Sequence, residues 1–238
     1  MDYVKSFREL EVYNLVFMIN SFKKIAISMA IVPISCTICF SQAVVKGNIS
    51  ADAGIGFGIY SAKTNDPADT ASGAVPGLIP IYAEYAITDK IGVGLFFERN
   101  GFVTSKKDTS TVRSLNFGAG AAYRIINKDK IVLAAELSAG VSAFRITDDT
   151  DLGKANNRNV TSNGSMVQLN INFKIYFGKH IGWFIKAGYG NYNYRYLYDN
   201  SDNLPPEADK RLVTVDGKEY LSLSLNGGNI RTGISVKF

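Results

Sequence analysis

The chain has 238 residues, of which 46% are hydrophobic and 20% charged, with a formal net charge of +5. That length suits a single all-β domain, and the polarity excludes a bundle of membrane-spanning helices. The basic excess is mild and forms no stripe with interleaved aromatics, so nucleic acid is not expected as a partner.

In chain order, the first element is Met18 to Ala43. Lys23 and Lys24 form a basic start, Ile25 to Phe40 an apolar stretch, and Ser41-Gln42-Ala43 supplies the small residues that a signal peptidase needs. This is the layout of a secretory signal peptide. Residues 1–43 are therefore expected to be removed, with a cut just before Gln42 as the close second choice. Residues 1–17 precede a more natural start at Met18, which points to an over-extended gene start. Both cysteines, Cys36 and Cys39, lie in the apolar stretch, so the mature domain 44–238 is expected to have no disulfide or thiolate chemistry.

Eight strands are expected next, at 48–61, 77–88, 91–101, 112–126, 131–146, 165–177, 181–197 and 218–238. The clearest signal is Val167, Leu169, Ile171, Phe173, Ile175 and Phe177, alternating with Gln168, Asn170, Asn172, Lys174 and Tyr176. Successive side chains of a strand point to opposite faces, so the segment has one apolar and one wet face. The first strand repeats this with Ala51, Ala53, Ile55, Phe57 and Ile59, and the third with Ile91, Val93, Leu95 and Phe97. No residue on these apolar faces is charged. A lysine or arginine facing lipid at the midplane costs roughly 2–4 kcal/mol, whereas a soluble barrel would put its charges outside.

The connections alternate between long and polar (62–76, 102–111, 147–164, 198–217) and short (89–90, 127–130, 178–180). Short periplasmic turns, long external loops and an even strand number describe an all-β, eight-stranded antiparallel up-and-down transmembrane β-barrel. Tyr85, Tyr123, Phe177, Trp183 and Phe238 are expected at the periplasmic interface. The apolar phase shifts after Gly190 and again near Asn226 to Asn229. A bulge at Gly227-Gly228 is expected to absorb the second shift. Tyr192, Tyr194, Tyr196 and Tyr198 are expected to rise as a ladder above the outer interface.

The signal peptide, the eight strands and the terminal Ile230-x-Thr232-x-Ile234-x-Val236-x-Phe238 resemble small OmpA/OmpX-like outer-membrane β-barrel proteins. The hairpin from Ile79 to Gly94 is similar to those of Bacteroidetes-type members. The resemblance implies a bacterial outer-membrane location, contact with outer-membrane lipid and lipopolysaccharide, and a monomer. It also implies that Ile234, Val236 and Phe238 are a C-terminal assembly signal for the barrel-insertion machinery, with Thr232 a softer fit. The peptidoglycan-binding domain that often follows the barrel in OmpA relatives is not implied.

The inward positions include Glu84, Glu98 and Glu136 with Arg124, Lys174, Lys186 and Arg231. Two readings stand: a salt-bridge network filling a narrow interior, since eight strands leave room for side chains and little else, or an ion path. Enzymes on small outer-membrane barrels resemble one another in needing a histidine near the external rim. The single histidine, His180, falls in a periplasmic turn beside Lys179. Asp148, Asp149 and Asp151 read as a solvated acidic run, with weak divalent-cation binding as the alternative. Gly54-x-Gly56-x-Gly58 lacks the following helix a phosphate loop needs. No catalytic residue, cofactor or metal is assigned. The expected role is a non-enzymatic, structural or surface-interaction one, through loops such as 198–217 meeting an extracellular ligand or host surface, or through lipopolysaccharide contact by Lys154 and Arg158. A small porin is the alternative.

Overall fold

The computed structural model describes residues 43–66, 72–103, 110–150, 158–200, 212–215 and 219–238. The expected signal peptide, apart from Ala43, lies outside them, as do Asp151, Lys154 and Pro205-Pro206.

Twelve strands are described: β1 (Ile49–Thr64), β2 (Ser72–Ala74), β3 (Pro76–Ala86), β4 (Ile91–Phe102), β5 (Ser110–Lys128), β6 (Ile131–Asp148), β7 (Asn159–Tyr176), β8 (Ile181–Tyr194), β9 (Tyr198–Asp199), β10 (Thr214–Val215), β11 (Glu219–Tyr220) and β12 (Leu223–Lys237). The eight long ones, β1, β3 to β8 and β12, pair antiparallel in chain order, and β12 returns to β1 to close the wall. Phe238 N–H donates to the Ile49 carbonyl at 2.8 Å, and the Phe238 carbonyl accepts from Ile49 N–H at 3.2 Å, so Phe238 extends the seam by one pair. Closure leaves no free sheet edge, the condition for strands in lipid.

Following paired residues once around the wall leads from Ile49 through Tyr85, Val93, Ala121, Leu137, Leu169, Tyr189 and Gly228 to Ile59, ten residues farther along β1. A stagger of that size in eight strands tilts them by roughly 40° to the axis. The curvature crowds the inner face. Gly118 and Gly140 pair directly across β5 and β6, and a Cβ on either would come within 2.7 Å of the other's Cα.

The outward faces form a continuous apolar band, including Ile55, Leu95, Leu169 and Ile234, each more than half exposed. A patch of this extent is the lipid-contact surface of a membrane barrel. Tyr85, Tyr123, Trp183 and Phe238 all point outward at the short-turn end of their strands, and Phe177 stands exposed in the turn itself.

Three expectations are corrected. First, β7 begins at Asn159 rather than 165 and β6 runs on to Asp148. The outward positions Thr161 and Asn163 stand above the lipid, where the apolar period no longer marks a strand. Second, β8 keeps its phase: Phe184, Lys186, Gly190, Tyr192 and Tyr194 all face inward. Tyr192 and Tyr194 are thus buried in the lumen, at 2% and 1% exposed, while Tyr196 and Tyr198 lie outside the strand and are exposed. Third, β12 pairs without interruption through Gly227-Gly228. What changes near the outer end is the chemistry of the inner face, which becomes apolar where the outer face becomes polar. The register shift that does occur lies between Arg124 and Ile126 opposite β6, and it turns both Ile125 and Ile126 outward. Beyond it, Asp129 takes a left-handed φ of 51° in the tight turn to β6, a conformation Asp tolerates better than most residues.

Candidate functional site

The lumen holds four ion pairs among the described residues. Arg124 binds Glu84, Lys174 lies 2.8 Å from Asp52, Lys186 lies 2.5 Å from Glu136, and Arg231 Nε lies 2.6 Å from Glu98. Every side chain in these pairs is at most 9% exposed. The seven side chains expected inward are therefore all in the lumen, joined by an eighth, Asp52, that is not among those expectations. Its signal was present: Asp52 lies between outward Ala51 and Ala53, at inward parity. With it the pairs balance, acid for base, as burial of charge requires.

The pairs are embedded in polar side chains. Arg231 also donates to Gln168 Oε1 at 3.0 Å, to Asn170 Oδ1 at 3.2 Å and to Asn229. Glu98 accepts from Gln168 at 3.2 Å, and Gln168 donates to the Tyr192 hydroxyl at 2.8 Å. Asn172 donates to Glu136 at 2.6 Å, and the Lys186 ammonium lies 4.8 Å from the centre of the Tyr82 ring. Charge-assisted hydrogen bonds of this kind are stronger than neutral ones and offset part of the cost of holding ions out of water.

Toward the long connections the interior turns aromatic and then apolar. Tyr60 and Tyr192 meet edge to face at 5.6 Å, and the Ser142 hydroxyl binds Asn116 at 2.5 Å and Tyr194 at 2.6 Å. Above them Phe144, Ile146, Val112, Leu223 and Leu225 pack into one cluster with Leu197 and Leu221. Leu197 and Leu221 belong to the described parts of the connection from β8 to β12, and both pack on this cluster. Val213 N–H donates to Leu197 at 2.9 Å and Leu221 N–H to Val213 at 2.8 Å. Asn65 fastens the same segment by accepting from Ser222 N–H at 2.8 Å and donating to the Tyr220 carbonyl at 3.0 Å.

The short-turn end is closed by Tyr176, Val132, Ala134 and Ala86 together with Ala43 and Val44. Asn127 brackets Val44, accepting its N–H at 3.1 Å and donating to its carbonyl at 2.6 Å, and Lys237 donates to the Ala43 carbonyl. Sequence periodicity could not mark this floor, because Ala43 and Val44 precede the first strand.

The remaining expected positions lie elsewhere. Ile234 and Phe238 are exposed on the outer face of β12, with Val236 between them. His180 sits in the short turn before β8, where Nδ1 hydrogen-bonds the Lys237 carbonyl at 2.9 Å. Asp148 accepts from Thr150 N–H at 3.0 Å and Asp149 accepts from the Thr111 hydroxyl. Among the described residues no group of three or more His, Cys, Asp or Glu side chains is placed to hold a metal ion.

No protein-family model matches the chain, and no curated protein matches it in sequence. Solved structures do. The outer membrane protein OprG from Pseudomonas aeruginosa aligns at a TM-score of 0.49 and 12% identity, over 82% of this chain and 97% of its own. Ail, the attachment invasion locus protein of Yersinia pestis, aligns at 0.41 and 12% identity, over 82% and 100%. Neisserial surface protein A aligns at 0.42 and 14% identity, over 79% and 99%. At such scores the architecture rests on the chain's own geometry: a wall closed by β12 on β1, a ten-residue stagger, an uncharged apolar outer band and a charged lumen. By that geometry the chain is a small, closed, eight-stranded β-barrel of the outer-membrane type, as the OmpA/OmpX-like resemblance of its sequence implied.

Proposed function

We propose that this barrel is a non-conducting, non-enzymatic protein that serves the outer membrane as a structural and surface-interaction element through its long connections. The reading includes export on a signal peptide cut just before Gln42, the alternative that keeps Ala43 in the barrel floor, insertion as a monomer guided by Ile234, Val236 and Phe238, and an extracellular ligand or host surface as the partner of the loops. The observation that carries it is the filled lumen: the charged network is held in four ion pairs, with apolar layers at both ends. An ion entering from outside would leave water for the Phe144–Leu225 layer, where nothing replaces its hydration shell. The place of His180, at the end opposite the long connections, supports a role without catalysis there.

Single-channel recording of purified, refolded protein in planar bilayers tests this. A silent bilayer is the expected result. Discrete conductance steps whose ion selectivity inverts when Lys174 or Glu136 is reversed in charge would instead establish the small-channel alternative.

A further inference from the structure

Toward the long connections, the outer surface of β4, β5 and β6 carries a cluster of positive charge. On β4, β5 and β6 the apolar outward series ends in arginine toward the long connections. Phe97 gives way to Arg99, Leu115 to Arg113 and Ala143 to Arg145, and all three arginines are exposed. Arg113 and Arg145 are directly opposite each other across β5 and β6. Arg99 pairs with Leu115 and so stands diagonal to Arg113. Directly opposed residues hold their Cβ atoms about 4.5–5.5 Å apart, so like charges there repel. None of the three arginines has an acidic partner in the ion pairs among the described residues. The corresponding outward positions of β7, β8 and β12 are neutral: Ser165 and Asn163, Asn191 and Asn193, Asn226 and Ser224. Beside them β1 carries a single exposed cation, Lys63, opposite Ser224.

A repelling guanidinium pair is relieved by an anion shared between its members, and phosphate matches the planar fork of guanidinium with two acceptor oxygens at once. At the level where a barrel's outward face turns from apolar to polar, phosphate is supplied by lipid head groups. Farther down, the same wall has a shallow apolar depression lined by Ala83, Leu95, Ala119, Ala121, Leu137 and Ala139, a surface suited to an acyl chain. We propose that Arg99, Arg113 and Arg145 form a binding site for the phosphate of a membrane lipid in the leaflet at the long-connection end. This rests on the membrane placement of the barrel and is independent of whether the lumen conducts.

The test uses the mature protein refolded into phosphatidylcholine vesicles with a trace of spin-labelled phosphatidic acid or, in parallel, spin-labelled phosphatidylcholine. The immobilised fraction of each label gives the lipid selectivity. The wild type is expected to prefer phosphatidic acid, and that preference should fall about fivefold for each arginine removed in Arg113→Gln and Arg145→Gln. The Arg113→Lys/Arg145→Lys variant should fall between, because it keeps charge and loses the fork. Lys90→Gln with Lys179→Gln, in the short turns, should leave the preference unchanged. Should the double glutamine variant fail to fold, Arg99→Gln carries the same test with the same expected loss. Equal selectivity in the wild type and a folded glutamine variant overturns the proposal. So does loss of the preference in inorganic phosphate, at an ionic strength where sodium chloride leaves it intact, because the site would then be one for free anions. Failure of the wild type to insert, read as absence of heat-modifiable gel migration, would overturn the membrane placement itself and is distinguishable from both.

Discussion

Replacing Arg231 by methionine would remove one guanidinium from the middle of the lumen and leave Glu98 facing it. Both residues are 2% exposed, and the guanidinium serves Glu98 at 2.6 Å, Gln168 at 3.0 Å and Asn170 at 3.2 Å, together with Asn229. Methionine keeps much of the unbranched apolar stem, so the change is chiefly a loss of charge and donors. With charge centres roughly 4 Å apart and an effective dielectric of about 20, the lost attraction is ~4 kcal/mol. Breaking one member of a buried pair costs about 3–5 kcal/mol, against about 0–1 kcal/mol for an exposed pair. Equilibrium urea unfolding in vesicles, followed by circular dichroism and heat-modifiable migration, would measure the difference. Arg231→Met is expected to lose about 3–5 kcal/mol, and the double variant with Glu98→Leu to recover most of that loss, because removing both partners leaves no uncompensated charge. A single-variant loss below about 1 kcal/mol would mean that the pair is solvated like a surface pair. The lumen would then be a water-filled path, and the reasoning from a closed interior would fail.

Other expectations follow from the wall and its two ends. Gly140→Val should destabilise the barrel by about 1–3 kcal/mol in the same assay, because its Cβ would meet Gly118 Cα at 2.7 Å; an unchanged midpoint would contradict the β5–β6 register. Removing Phe238 should sharply reduce barrel insertion in cells while changing the stability of protein refolded in vitro much less. Equal effects in both settings would make the residue a seam-packing group rather than an assembly signal. Intact-mass measurement of the mature protein should place its first residue at Gln42, because the Ala43 carbonyl and Val44 backbone are held by Lys237 and Asn127 in the barrel floor. A first residue at Val44 would show that Ala43 plays no part in that floor.

The fold was legible because lipid imposes a local rule. Every second residue of a spanning segment must be uncharged and apolar, and that rule acts within each strand, independent of partners. Strand number, the alternation of long and short connections, and the short-turn aromatic girdle of Tyr85, Tyr123, Phe177, Trp183 and Phe238 all follow from it. Above the lipid the rule lapses, so it marks neither the first six residues of β7 nor the inward side of Tyr192 and Tyr194. Their inward burial depends on neighbours from other strands: Tyr60 on β1 for Tyr192, and Ser142 and Phe144 on β6 for Tyr194.

The charged site divides in the same way. Parity alone put Glu84, Glu98, Glu136, Arg124, Lys174, Lys186 and Arg231 on the inner face. Which acid meets which base was decided only by closure, which brings Lys174 to Asp52 across 122 residues of sequence and Arg231 to Glu98 across 133. The apolar cap is likewise tertiary, because Leu197, Leu221 and Leu225 form one layer only together with residues of other strands, such as Phe144 on β6 and Val112 on β5. By itself the sequence determined which face of each strand meets lipid, since that depends on a two-residue period and a single solvent. Whether the space inside is an aqueous path or a packed interior was decided by the eight-strand radius and the stagger, which set how closely opposite walls approach.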